Sequence, residues 1–372
     1  MAATPLRVPA TLFTDPLRLA AEKKHIFRSL PLVAGFSTSI AKPGDAMLFN
    51  GTGDSIIIVR GTDGKANAFL NLCTHRGTQL VKERGNHLTI SCPFHGWTFD
   101  TQGKPGQLIG QPGSEGFAGI DKNALGLIPV PCTELHGLIF VKGEVAKGAA
   151  NGTFETEVES FLGDYGPQLA LYEFDRYVPG KSGLLQSAGN WKYISDTFAE
   201  GYHFAALHPD TLGSTHFNNV ATYDQYGVHH RICFATKNYK DFMDKPESEW
   251  VPADAVVHTI FPNTHFIFGC PRPGSIFIQM FHVYPREVND TEIDFTLYVT
   301  PELQAAVGRE FVEGAFDLAA GIVSNEDFVV AANAQRMMAG VPADFKVTYG
   351  RNEIGPQNYQ HNIANAIGMP LK

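Results

Sequence analysis

Cysteine is scarce, with five in 372 residues at positions 73, 92, 132, 233 and 270. So odd and sparse a set does not build a disulfide framework, and a reducing cytoplasm is the expected compartment. Positive charge is short as well: 29 Lys and Arg stand against 38 Asp and Glu, a net charge of −9. That balance argues against a nucleic-acid partner and against an anionic membrane surface. No apolar run approaches the ~20 residues of a membrane span. The first sixteen residues hold neither a basic n-region nor an apolar h-region, so no export signal is expected. A Gly-x-Gly-x-x-Gly turn is missing, as are internal repeats and low-complexity tracts. What remains is a globular chain, 44% hydrophobic, long enough for two domains and a sizeable core.

One stretch organises the rest: Cys73-Thr-His75-Arg-Gly, then Cys92-Pro-Phe-His95-Gly-Trp97. Structural zinc sites separate paired ligands by two to four residues, so Cys-x-His is a cramped bite for one ion. Two irons bridged by sulfide relieve the cramp, because neighbouring ligands can go to different metals. Two Cys on one iron and two His on the other is the Rieske form of the two-iron, two-sulfur cluster. With these spacings the chain resembles the Rieske proteins, which makes Cys73, His75, Cys92 and His95 the ligands of a 2Fe-2S cluster. A structural zinc site is the competing reading.

Along the chain, helical spacing at 15–29 gives way at residue 46 to short β-type runs separated by Gly-Thr-Gly-Asp and Thr62-Asp63-Gly64, the latter a hairpin signal. A Gly- and Pro-rich loop at 103–126 precedes two more strands. Val145 to Gly152 reads as a linker. Beyond it, strands are expected at 181–186, 229–236, 256–260, 265–268, 275–284 and 291–299. A helix begins at Asn190-Trp191-Lys192 and extends to 207, and a long helix without internal proline covers 302–338. The fold class is α+β. The expected domains are a helical segment 1–40 packing on the catalytic domain, a β domain 41–148 and a second domain 149–372.

The helix at 190–207 carries Glu200-Gly-Tyr202-His203, with His208-Pro209 following. Residues three apart share a helix face, so Glu200 and His203 point into one cavity. His208 would turn away in a straight helix, but the residue before proline leaves the helical region, which lets it swing back. Two converging histidines are a plausible metal pair, although His-x4-His is also frequent in ordinary amphipathic helices.

Downstream of a Rieske motif, this pattern resembles the catalytic half of the Rieske non-haem iron oxygenases, from about residue 48 to the helix at 302–338. The resemblance implies an antiparallel β Rieske domain and a helix-grip, START-like catalytic domain whose antiparallel sheet surrounds a long C-terminal helix. It implies a mononuclear Fe(II) held by two His and a carboxylate, here His203, His208 and Asp327 of Asn325-Glu326-Asp327. Glu326, about a quarter turn away, is the second choice, and both acids could instead solvate the helix surface. It makes Glu200 the bridge to His95 of a neighbouring subunit, where many members have Asp. Asp196 is either a supporting residue or the cap of a local turn. Asn190, Lys192 and Tyr202 read equally as helix packing and surface residues.

The function implied is a terminal oxygenase that takes O2, and electrons from NAD(P)H through a separate reductase or ferredoxin, to hydroxylate or dealkylate an apolar or aromatic small molecule. Mono- and dioxygenation, as in aromatic catabolism, share these ligands. A head-to-tail homotrimer is expected, with or without a beta subunit. Phe204, Phe266, Phe268 and Phe281 are pocket candidates, whereas His258 and His265 read as strand residues. The alternative is a Rieske electron carrier fused to a non-catalytic binding module, which would not need His203, His208 and Asp327.

Overall fold

The computed structural model describes residues 1–106, 117, 119–144, 151–246, 249, 256–272 and 275–371. The chain divides into two compact units, Phe27–Arg176 and Met1–Ile26 with Tyr177–Lys372. These limits differ from the expected ones, because 27–40 and 151–176 fall with the β unit. Leu32–Phe36 pairs antiparallel with Leu138–Val141, itself paired with Cys132–Leu135. Helix Asn151–Leu162 is tied back by a Lys142–Glu157 ion pair of 2.8 Å. Most of the expected linker lies outside the described residues. Among the described residues, no helix is long and apolar enough to cross a membrane.

In the β unit, a five-stranded sheet runs in the order Gly85–Asn86, Asp45–Phe49, Ile56–Arg60, Ala66–Leu70, Pro129–Val130, all antiparallel. A hairpin of Thr89–Ser91 and Thr98–Asp100 stands apart from it. Ile57, Val59, Phe69, Ile90, Trp97 and Phe99 form the core, together with Cys73 and Cys92. The expected Asp63-Gly64 hairpin joins Ile56–Arg60 to Ala66–Leu70, and Gly64 has φ of 80°, which L side chains rarely adopt.

The other unit is built on a seven-stranded antiparallel sheet. Its order is Val178–Ser187, Asp290–Val299, Ser275–Glu287, Thr264–Arg272, Val256–Ile260, His229–Thr236, His216–Tyr226. Phe316, on helix Arg309–Ile322, stacks on Phe295 of the sheet with ring centroids 4.4 Å apart. A Cβ at Gly183 would come within 2.9 Å of the Phe316 ring, so the close helix approach depends on that glycine. The expected continuous helix 302–338 is interrupted twice. Pro301–Val307 ends at Gly308, whose φ is 83°, and a π-helical turn, Val323–Asp327, separates Arg309–Ile322 from Phe328–Met338.

The N-terminal segment belongs to this unit through a buried charge cluster. Asp15 caps helix Pro16–Glu22. Glu22 at its end accepts from Trp191 Nε1 at 2.8 Å and Lys192 Nζ at 2.8 and 2.9 Å. Glu22 and Lys192 are 0% and 1% exposed, so Lys192 is no surface residue. Asn190 caps the helix that follows: its Oδ1 accepts from the Lys192 amide, and its Nδ2 donates to the Phe13 and Val288 carbonyls. Removing one partner of a buried pair leaves the other charge uncompensated. Glu22→Ala should therefore cost about 3–5 kcal/mol, read as a lower urea midpoint. A loss below about 1 kcal/mol, as for an exposed pair, would refute this role for the cluster.

Candidate functional site

Two loops of the β unit repeat one turn. The Gly77 amide donates to the Cys73 carbonyl at 2.8 Å and the Gly96 amide to the Cys92 carbonyl at 3.0 Å. Both glycines have positive φ, 77° and 70°, so each loop closes sharply four residues after its cysteine. The cysteines sit inside and His95 is exposed. The His75 and His95 rings lie 4.7 Å apart, with His75 stacked on Trp97 at 4.5 Å. Phe94, 55% exposed, leans on His95. Burial pushes the Cys73 thiol up, and the neighbouring Cys92 adds to the shift. Desolvation works the same way on Cys92, but the Phe94 and His95 amides outweigh it and hold that thiol below its ordinary value. His75 Nδ1 is buried with no hydrogen-bond partner. Two adjacent thiols, two imidazoles and an orphaned ring nitrogen suit a metal group with sulfur and nitrogen ligands.

The second constellation arises where helices break. The single helix expected over 190–207 is two short ones, Trp191–Thr197 and Phe204–Leu207. Glu200 lies in the gap, not on a shared helix face. Its carboxylate accepts from the Tyr202 and His203 amides and meets His203 Nδ1 at 2.5 Å. His203 caps the second helix, and His208 ends it with φ −115° and ψ 44°, outside the helical region as Pro209 requires.

Asp327 comes from the π-helical turn, a feature frequent at functional sites. Its Oδ1 is 3.5 Å from His203 Nε2 and 3.4 Å from His208 Nε2. His208 Nε2 is buried and makes no well-formed hydrogen bond. Ligands bonded at about 2.1 Å to one ion, at roughly 90–109° to each other, lie about 3.0–3.4 Å apart. The two Asp–His separations are close to that spacing, and all three candidate ligand atoms lie within 4.8 Å of one another.

The electrostatics agree. Desolvation opposes charge on His203, but hydrogen bonds to Asp327 and Glu200 outweigh it and lift its pKa to about 9. His208 is raised too, its desolvation outweighed by Asp327 and Glu326. Burial would raise Asp327, yet the two histidines hold it below the usual carboxylate value. The site draws positive charge, and a divalent cation competes with protons for the same place.

Glu326 does something the sequence reading missed. It meets His208 at Nδ1, the ring edge opposite Asp327, and accepts from Thr211 Oγ1 at 3.0 Å. Glu326 therefore holds the His208 ring from the edge opposite Asp327. Its only signal in the sequence is adjacency to Asp327. Asp196 neither caps a turn nor touches the triad: it accepts from Tyr349 Oη at 2.6 Å and from Gln360 at 3.3 Å. Tyr202 is 58% exposed.

His203, His208 and Asp327 open onto a cavity of about 320 Å³, walled by Phe198, Phe204, Phe234, Val257, Phe277 and Leu318 among others. Of the expected aromatic residues, Phe204 alone lines it. Phe266 and Phe268 alternate with Ile267 and so point to the opposite sheet face. Phe281 shares the cavity's face but is covered by Phe198, with ring centroids 5.2 Å apart. His258 and His265 are buried strand residues outside the lining.

Residues 174–368 match the ring hydroxylating alpha subunit (catalytic domain), and residues 32–118 match the Rieske [2Fe-2S] domain. The oxygenase subunit of glycine betaine monooxygenase from Chromohalobacter salexigens is 30% identical over 65% of this chain, and the match spans 50% of that protein. The oxygenase subunit of carnitine monooxygenase from Acinetobacter baumannii is 25% identical over 82% of this chain and 79% of its own. Among solved structures, the quaternary ammonium Rieske monooxygenase CntA superposes with a TM-score of 0.81 over 98% of this chain and 96% of its own, at 19% identity.

Burial lifts the Asp196 pKa from 3.8 to about 8, despite its bonds to Tyr349 and Gln360. The folded protein then holds a proton that the unfolded chain has lost, so this group lowers stability as pH rises from about 4 towards 8. Asp196→Asn lacks that dependence. Urea midpoints should move in the variant's favour between pH 5 and pH 8; parallel profiles would contradict the shift.

Proposed function

Because the chain belongs to the family of ring-hydroxylating oxygenase alpha subunits and carries a Rieske domain ahead of its catalytic domain, we propose that it is a Rieske terminal oxygenase. It takes O2, and electrons from NAD(P)H through a separate reductase or ferredoxin. The observation that carries this reading is the meeting of His203, His208 and Asp327 at one point in a cavity wall. The family match over the catalytic domain leaves the electron-carrier alternative without support.

Cys73, His75, Cys92 and His95 would hold the cluster, and His203, His208 and Asp327 a mononuclear Fe(II). When bound, these groups supply single electrons and activation of dioxygen. The protein's own contribution is positional. Glu200 and Glu326 each hold one imidazole at Nδ1, leaving both Nε2 atoms aimed at Asp327. The apolar wall excludes water beside them. Glu200, next to the exposed Tyr202, would also carry electrons from His95 of a neighbouring copy in a head-to-tail homotrimer.

The substrate we favour is an apolar or aromatic small molecule, hydroxylated or dealkylated, because Phe198, Phe204, Phe234 and Phe277 dominate the cavity. A quaternary ammonium compound is the second reading. The two relatives are named for such substrates, and phenylalanine faces attract cations.

Two variants test the assignment. His208→Ala should abolish oxygen-dependent conversion of substrate with a matched reductase while the visible spectrum of the cluster persists; retained turnover would remove the mononuclear site from the mechanism. Glu326→Gln should weaken iron binding about 10–100-fold, the usual effect of losing a partner behind a ligating histidine. Unchanged iron affinity would leave Glu326 without that role.

A further inference from the structure

Five adjacent strands of the catalytic sheet place one row of side chains on the cavity face: Ile232, Val257, Ile267, Gln279 and Leu297. Four are aliphatic and one is an amide. Val257, Ile267 and Gln279 line the cavity itself. Gln279 is half-buried with its amide at the cavity, so a ligand that displaces water from it must replace those hydrogen bonds.

Outside the cluster of Asp327, His203 and His208, the other polar side chains of the described wall have protein partners. Thr197 Oγ1 donates to the Ile194 carbonyl at 2.9 Å. Thr215 Oγ1 lies 3.2 Å from the Leu212 carbonyl and 2.8 Å from His216 Nδ1. Asp327, His203 and His208 form the candidate metal cluster. Among the described lining residues, Gln279 is the polar side chain whose amide meets no protein hydrogen-bond partner.

We propose that Gln279 is a specificity-determining residue of this cavity, and that it selects an uncharged, largely apolar molecule bearing one neutral hydrogen-bonding group, such as a carbonyl. The inference rests on the oxygenase reading for what becomes of that molecule, but not for its binding. The amide carries no charge, so it satisfies a neutral oxygen or nitrogen completely. A carboxylate held there would remain an uncompensated charge in an apolar wall. A site built around one hydrogen bond discriminates strongly against the analogue lacking it, because the protein group is then left unpaired.

The test uses two probes of equal shape, 1-indanone and indane, which differ by a carbonyl in place of a methylene. Binding to the iron-loaded protein is measured by calorimetry without oxygen or reductant, in the wild type, Gln279→Leu and Gln279→Asn, with glycine betaine as a third probe. Gln279→Leu should weaken 1-indanone relative to indane by about tenfold, and Gln279→Asn should restore part of the preference. An unchanged ratio, loss of both probes together, no binding of either, or tighter binding of glycine betaine would each overturn the proposal. Equal cluster spectra and thermal midpoints in the three proteins establish that the variants are folded. Failure of the oxygenase reading is distinguishable: it would show as an inert, fully iron-loaded protein, whatever the ratio of the two probes.

Discussion

Two imidazole nitrogens and a carboxylate oxygen converge on one buried point because the backbone leaves regular helix at each place that supplies them. His203 and His208 flank a four-residue helix, Phe204–Leu207, and Pro209 denies the chain another turn. Asp327 ends a π-helical turn between two α-helices. Continuous helices would carry these side chains at 100° per residue and could not present both edges of His208 to neighbouring acids. The irregular turns do so, with Asp327 at Nε2 and Glu326 at Nδ1. The buried pair of Glu22 and Lys192 and the cap at Asn190 hold the start of the segment that leads into this point.

The sheet supplies the other wall, and its two-residue period decides what faces the cavity. One parity brings Val257, Ile267 and Gln279 inward; the other sends Phe266, Phe268 and Met280 to the opposite face. Aromatic side chains for the cavity come instead from Phe198 and Phe204 beside the histidines and from Phe234 and Phe277 on the sheet. Apolar volume, a carboxylate shared by two histidines and one unpartnered amide therefore meet in a single space.

Chemistry set by adjacent residues was legible in the sequence, and chemistry set by distant pairing was not. Cys73 with His75, and Cys92 with His95, declare themselves because the spacing alone restricts what they can bind. His208 was found through Pro209, again a neighbour. The role of Glu326 depends on a π-helical turn and on a histidine 118 positions earlier, which no local pattern encodes. Strand His216–Tyr226 was missed because most of it is exposed on both faces and carries no alternation. The unit limits shifted because Leu32–Phe36 pairs with a strand about a hundred residues further on, a partner that the segment's composition does not reveal.

The proposed function stands on two separate iron sites in one chain, one at the cysteine and histidine loops and one at His203, His208 and Asp327. Metal and acid-labile sulfide analysis, joined to low-temperature electron paramagnetic resonance of the dithionite-reduced protein, tests this most directly. Two sulfides per chain, the cluster's two irons plus one more, and a Rieske-type signal are expected. Zinc in place of iron, or a cluster with no further iron in fully loaded protein, would contradict it.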